Sequence, residues 1–244
     1  MKIGIIGCGY WGKIIINNLL QMGYNDLILC DEKKVSLNLG SKFKVRKDYR
    51  KIKCDKVFVL TPATKHFEIC KYFLEKGVDV FCEKPLTDSP YACTILYNIA
   101  KKNNTKLFVD WIFTYNSQVN TIKKIYNSGI LGEIKHVNMS RQNFGPKRFD
   151  VDAKMDLATH DISILFYLFN KQLEEIHWID YNRDPNDKQN DSALGFLTFS
   201  NFKAIINVSW HHSKKDRMCF FDFENGYIEW DDTRKSLNLS LIHI

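Results

Sequence analysis

A chain of 244 residues with 45% hydrophobic and 26% charged side chains, 12 Gly and 5 Pro has the apolar content for a packed core of one or two domains. It is not a disordered, collagen-like or disulfide-scaffold protein. The excess of 35 Lys and Arg over 28 Asp and Glu gives a net charge of +7, but the lysines are spread in pairs such as Lys33-Lys34, Lys101-Lys102 and Lys214-Lys215. With no zinc-finger spacing or aromatic RNP strand beside them, no nucleic-acid partner is expected. The longest apolar runs, 57–60 and 162–168, are far shorter than the ~20 residues of a membrane span. The N-terminus enters a strand and a glycine turn rather than an export signal, and the seven cysteines include no C-x-x-C pair. The expectation is a reduced, cytoplasmic protein with no membrane partner.

The first half alternates short apolar strands, at about 2–6, 27–31, 56–60, 78–82 and 106–112, with helical stretches at 11–22, 64–76 and 90–102. The helices repeat apolar residues at three- and four-residue intervals. A repeated βαβ pattern of this kind predicts an α/β domain over 1–117, a Rossmann doubly wound parallel sheet. A further helix follows Asn116 and ends near Asn127, before Gly129. Beyond Gly132 come strands, one helix at about 156–169, and a run of strands from about 173 onward. Two-residue alternation over 204–210 and turn residues at Ser200-Asn201 and Asn225-Gly226 predict a second α/β domain, 118–244, with a largely antiparallel open sheet. The apolar alternate positions of that sheet need cover, which points to a homo-oligomer packed through the sheet face.

Between the first strand and the first helix stands Gly7-Cys8-Gly9-Tyr10-Trp11-Gly12. In this context Gly7 makes the tight turn, Gly9 admits a pyrophosphate to the backbone, and Gly12 allows close helix–strand packing. Tyr10 and Trp11 fall inside the same cofactor-facing turn. Asp31 lies 31 − 12 = 19 residues beyond Gly12, where a carboxylate accepts from ribose hydroxyls; capping of a following helix is the alternative. A carboxylate at that point favours NAD over NADP by repelling a 2′-phosphate, an effect that Lys33 and Lys34 partly offset.

Two further strings stand at strand ends, Thr61-Pro62-Ala63-Thr64-Lys65-His66 and Glu83-Lys84-Pro85. In the second half, Asp156 and His160 are four apart and share one helix face. They read as a general base oriented by a carboxylate, as a helix-stabilising pair, or as two metal ligands. No third ligand accompanies them, so no metal is expected. Arg141, Lys147 and Arg148 read equally as anion-binding residues or as surface charges.

The glycine fingerprint, the T-P-x-x-x-H string and the E-K-P turn in that order resemble the Gfo/Idh/MocA family of nicotinamide-dependent sugar oxidoreductases. The resemblance covers nearly the whole chain and is most similar to the nucleotide-sugar and polysaccharide-pathway branch. It implies that Thr61, Pro62 and His66 border the cofactor, and that Glu83 and Lys84 lie beside the nicotinamide. Lys84, Asp156 and His160 would then be the catalytic set, with Asn116, Arg141 and Arg148 as further substrate contacts. The implied substrate is a small carbohydrate, free or nucleotide-linked. Two departures bear on its identity: this sequence has Trp111 and Thr159 where the branch carries a histidine and a proline. Family members also continue into a terminal helix, whereas this sequence stops in a strand-like run at Leu241-Ile242-His243-Ile244, which reads as a C-terminally shortened form. A shortened form could be a non-catalytic NAD(H)-binding sensor or an inactive paralogue. A Rossmann-like methyltransferase would explain neither Glu83-Lys84-Pro85 nor the Asp156/His160 pair.

Overall fold

The computed structural model describes residues 1–33, 43–145, 147–187 and 189–242; the readings that rest on Lys34, His243 and Ile244 lie outside them. The chain divides into two compact units, Met1–Asp110 and Trp111–Ile244. The boundary lies before the 117/118 division read from the sequence. The reason is Phe113, whose ring is 6% exposed and belongs to the hydrophobic core of the second unit, so the turn that precedes the next helix goes with that unit.

The first unit is a six-stranded parallel sheet built from β1 (Ile3–Ile6), β2 (Leu27–Cys30), β3 (Val45–Arg46), β4 (Lys56–Val59), β5 (Asp79–Cys82) and β6 (Leu107–Val109). Its order is β3-β2-β1-β4-β5-β6, and every pairing is parallel. All four residues of β1 are buried, as a central strand covered on both faces requires. Strand β3 was not legible in the sequence, because two residues are too few to carry a period. The connecting helices are α1 (Tyr10–Gln21), α2 (His66–Glu75) and α3 (Pro90–Lys102). Each buries one stripe: Gly12, Ile16 and Leu19 on α1, and Ile69, Cys70, Phe73 and Leu74 on α2. Helix α3 starts at Ser89, whose hydroxyl accepts from Ala92 N at 3.4 Å, with Pro90 in the first turn where its missing N–H costs nothing. The strand order reverses between β1 and β4, and that reversal is where ligands gather in open α/β sheets.

The second unit begins with α4 (Ser117–Asn127) and carries α5 (Thr159–Phe169) between strands β7 (Ile134–Phe144) and β8 (Leu173–Tyr181). There follow β9 (Ser192–Phe199), β10 (Lys203–Ser209), β11 (His211–Phe223), β12 (Gly226–Asp231) and β13 (Ser236–Leu241). The sheet order is β13-β12-β11-β7-β10-β9-β8. It is antiparallel except for the parallel pair β7–β10. Val137, Met139, Ala204, Ile206 and Phe221 on the inner face form one core with Ile164, Leu165 and Leu168 of α5. The opposite face aligns Phe196, Ile205, Asn138 and Phe220 across four strands, with Phe196 and Phe220 exposed. The helix expected at 156–169 is entered through one turn of π-helix, Lys154–Ala158, and closes at Asn170, which takes a left-handed φ of 48°.

Candidate functional site

The glycine turn after β1 is dictated by close contacts. Gly7 has φ +96°, and a Cβ there would lie 2.6 Å from the Leu60 carbonyl; one on Gly12 would lie 2.2 Å from the Gly7 oxygen. Only glycine satisfies both positions. A Cβ on Gly9, in contrast, would meet no described atom within 4 Å, so its backbone faces open space. Helix α1 has no side-chain cap and no acidic residue in its first turn, which leaves its amide donors and positive end directed at whatever enters. Asp31 folds onto this turn: its Oδ2 accepts from Cys8 N and its Oδ1 from Lys33 N, both at 2.8 Å. Burial and the neighbouring Asp31 charge push the Cys8 thiol up to about 12, so Cys8 packs as a small apolar group. Tyr10 and Trp11 are exposed, in edge-to-face contact at 5.7 Å.

Beside the turn is a cavity of about 280 Å³ whose walls include Gly7, Gly9, Asp31, Thr61, Pro62 and Lys65. The Thr61 hydroxyl is buried and has no hydrogen-bond partner among the described residues. Lys65 is ion-paired with Glu32 at the same cavity. These residues fit the adenosine and pyrophosphate parts of a dinucleotide. His66 departs from the expectation that it borders the cofactor: it is 1% exposed, with Nδ1 at 2.8 Å from the Pro85 oxygen and Nε2 at 2.8 Å from the Thr61 oxygen. It braces two turns from behind. Lys84 precedes a cis Pro85, and its backbone N donates to Glu83 Oε2 at 3.2 Å. Asp110, one strand over, has its carboxyl pushed above the usual carboxylate range by burial, against an opposing hydrogen bond with Glu83.

In the second unit the π-turn carries Asp156, and His160 lies in the first turn of α5. Asp156 accepts from Arg148 Nη1 at 3.1 Å on Oδ1 and from the indole Nε1 of Trp210 at 3.2 Å on Oδ2. The His160 ring stands edge-on to Phe113 at 5.2 Å. Three expected substrate contacts are bonded within the unit. Arg141 is 3% exposed and donates from Nε and Nη2 to Asp161 Oδ1 at 2.9 and 2.7 Å, with its guanidinium 4.4 Å from the Phe113 ring centre. It is an internal ion pair, because the inward parity of β7 places it in the core. Burial pushes the Asp161 carboxyl up while Arg141 pulls against it. Asn116 caps α4, its Oδ1 accepting from Gln118 N at 2.8 Å and Val119 N at 3.2 Å. Arg148 is held in a fork by Asp150, at 3.0 and 2.8 Å, besides its bond to Asp156.

Sequence reasoning missed Trp210, Asp161 and Phe113. A signal existed for Asp161, which lies on the apolar stripe Leu157, Ile164, Leu165 and Leu168 and so required a buried cation. Among the described residues, no group of three or more His, Cys, Asp or Glu could hold a metal ion, and no helix is long and apolar enough to cross a membrane.

Known proteins give an independent measure of this architecture. Residues 1–111 match the family model described as oxidoreductase family, NAD-binding Rossmann fold, and residues 119–229 match the GFO/IDH/MocA C-terminal domain. The chain is 21% identical over 206 residues to a UDP-N-acetylglucosamine 3-dehydrogenase of Acidithiobacillus ferrooxidans, covering 82% of this chain and 64% of that protein. It is 24% identical over 192 residues to a myo-inositol 2-dehydrogenase of Thermotoga maritima, covering 72% and 57% respectively. An uncharacterized oxidoreductase of Streptococcus pneumoniae is 24% identical over 63% of this chain and 44% of its own length; the chain thus spans about half the length of the curated relatives it matches. Among solved structures, the WlbA dehydrogenase of Bordetella pertussis in complex with NADH and UDP-GlcNAcA superposes with a TM-score of 0.87 at 18% identity, over 100% of this chain and 78% of that one.

Proposed function

Since the chain belongs to the GFO/IDH/MocA oxidoreductase family, we propose that it transfers a hydride between NAD and a hydroxyl or keto carbon of a sugar, with nucleotide-linked sugars as the preferred substrate class. The observation that carries this reading is the cavity beside the glycine turn, where Gly9 is open, Asp31 is fixed to the turn, and Thr61 and Pro62 line the wall. When bound, the nicotinamide supplies hydride acceptance or donation. The chain's own task is to hold the dinucleotide and to manage the proton of the carbinol.

Gly7, Gly9 and Gly12 hold the pyrophosphate against the α1 terminus, with Tyr10 and Trp11 at the open edge of the turn. Asp31 accepts from the adenosine ribose, and this favours NAD over NADP. Thr61 and Pro62 line the same cavity, and Glu83 and Lys84 would hold the nicotinamide end. His160 is the general base toward the carbinol oxygen, and Asp156 sets its environment. Lys84 is the proposed hydrogen-bond donor that stabilises negative charge as it develops on the substrate. Arg148, anchored by Asp150, orients Asp156.

The A. ferrooxidans and T. maritima relatives, named for action on a nucleotide sugar and on a polyol, support the carbohydrate class. The structure named with NADH and UDP-GlcNAcA supports the nucleotide-linked form. The row of Phe196 and Phe220 on the outer sheet face supports a homo-oligomer through that face, and the cytoplasm is the proposed location.

The test is to follow reduced-nicotinamide absorbance when the purified chain and NAD meet a panel of free sugars, polyols and nucleotide sugars, with NADP in parallel. A signal that Lys84→Met abolishes supports the reading. NADH binding with silence across the panel would instead make the chain a dinucleotide sensor.

A further inference from the structure

His66 opens α2 almost wholly buried, and each of its ring nitrogens meets a main-chain carbonyl at 2.8 Å: Nδ1 that of Pro85, and Nε2 that of Thr61. A carbonyl oxygen can only accept. A neutral imidazole has one N–H and one lone pair, so in either tautomer one of the two contacts would oppose lone pair to lone pair at hydrogen-bond distance inside the core. Both contacts are hydrogen bonds only when both nitrogens carry a proton. We infer that His66 is held as an imidazolium that clamps the Thr61-Pro62 turn to the Lys84-Pro85 turn, positioning both for the dinucleotide without touching it. The functional half of this inference rests on the reading above that these turns border NAD; the charge state does not.

The surroundings suit a cation. On its own helix Glu68 occupies the first turn, and the preceding Lys65 is neutralised by Glu32. On the facing turn Glu83 and Lys84 come just before Pro85, and Glu83 is hydrogen-bonded to Asp110 at the end of β6. Two carbonyl dipoles point their negative ends at the ring nitrogens. This one side chain bonds to both turns: Thr61 lines the cavity, and Pro85 follows Lys84. Loss of one proton would free one turn while the other stayed bonded, so the competent state is the protonated one and NAD affinity falls as pH rises. His66 is accordingly a positioning residue.

The experiment is carried out on the whole chain labelled with ¹⁵N-histidine. Two-bond ¹H–¹⁵N correlation spectra separate an imidazolium from either neutral tautomer. Of the seven histidines, one is expected to keep the imidazolium pattern at about pH 8, where exposed imidazoles are neutral, and to vanish in His66→Gln. Should that variant fail to fold, the signal is assigned by replacing the other six histidines in turn. NADH fluorescence titrations from about pH 6 to about pH 9 then read the function: wild-type affinity declines with rising pH, and His66→Gln binds about tenfold more weakly at the acid end with no such trend. A neutral His66 at about pH 7 overturns the inference, as does NADH affinity unchanged in His66→Gln. An imidazolium in a chain that binds no NADH at any pH upholds the charge state and defeats the cofactor reading instead.

Discussion

In the unit Met1–Asp110 the candidate cofactor residues stand on main-chain turns at the carboxyl ends of strands, whereas in Trp111–Ile244 the candidate proton-transfer residues are side chains held by partners from distant strands. The glycine turn, the Thr61-Pro62 turn and the Lys84-Pro85 turn follow β1, β4 and β5, and their shapes are set within a few residues by glycine and proline. Asp156 is instead held by Trp210 from 54 positions away, and helix α5, which carries His160, is tied to the sheet by Arg141 from β7. A ligand that must be met by backbone amides calls for the first construction, because close approach excludes side chains. Proton transfer calls for the second, because a titrating side chain needs fixed partners.

This contrast can be broken from either side. The largest effect is expected in the second unit: Arg141→Ala leaves Asp161 without its cation in the core, and thermal or urea unfolding should register a loss of about 3–5 kcal/mol. If the loss is below about 1 kcal/mol, the pair does not organise α5. Next, Lys84→Met and His160→Ala should each keep NADH binding and lose turnover by at least ~100-fold, the scale of removing an acid–base group. Near-normal rates in both would remove these residues from the chemistry.

The glycine turn allows a sharper separation of fold from ligand. Gly12→Ala forces a Cβ against the Gly7 oxygen and should destabilise the chain by about 1–3 kcal/mol along with NADH binding. Gly9→Ala meets no described atom and should leave the melting temperature close to wild type while NADH titration shows weakened affinity. Equal behaviour of the two variants would refute the assignment of Gly9 to the ligand face. Trp210→Phe, which deletes one donor to Asp156, should cost about 1–2 kcal/mol in stability. If Asp156 serves the proton transfer, it should also displace the pH–rate profile.

The smallest effect is on a surface pair of the first unit. Lys56 Nζ donates to Asp79 Oδ2 at 2.7 Å and Lys106 N to Oδ1 at 2.9 Å, and these bonds hold the Asp79 carboxyl below its ordinary value. Their stabilisation is complete above the unfolded-state carboxylate pKa and disappears as pH falls through the lower folded value. Lys56→Met should therefore reduce stability at neutral pH by less than about 1 kcal/mol, since both side chains are partly solvated. The acid limb of the stability curve should flatten correspondingly; an unchanged limb would assign the low carboxyl to the Lys106 amide alone.

The fold of the first unit was legible because its βαβ units are local: strand runs of four residues, helix stripes of three- and four-residue spacing, and turns with obligatory glycines. The second sheet was legible as mostly antiparallel from its two-residue alternation, but the parallel pair β7–β10 was not, since a period reports which face a residue takes and not which strand lies beside it. Arg141 was read as a possible substrate contact although it shares the parity of Val137 and Met139, an alternation that sends it inward with them. Asn116 stands just before a helix, the position of a cap, and its Oδ1 fills that role.

Taken by itself, the amino-acid sequence determined the periodic elements, the glycine turn with its acidic partner at Asp31, and the ordered motifs at the ends of β4 and β5, because each depends on sterics and hydrogen bonding among residues near in sequence. The tertiary structure alone decided that Arg141 and Asp161 are an internal pair, that Trp210 holds Asp156, that Phe113 belongs to the second core, and that His66 braces two turns. Those outcomes depend on which groups are denied water together, and burial of a charge or an N–H selects its partner by proximity in space, across separations of 5 to 54 residues that no local pattern records.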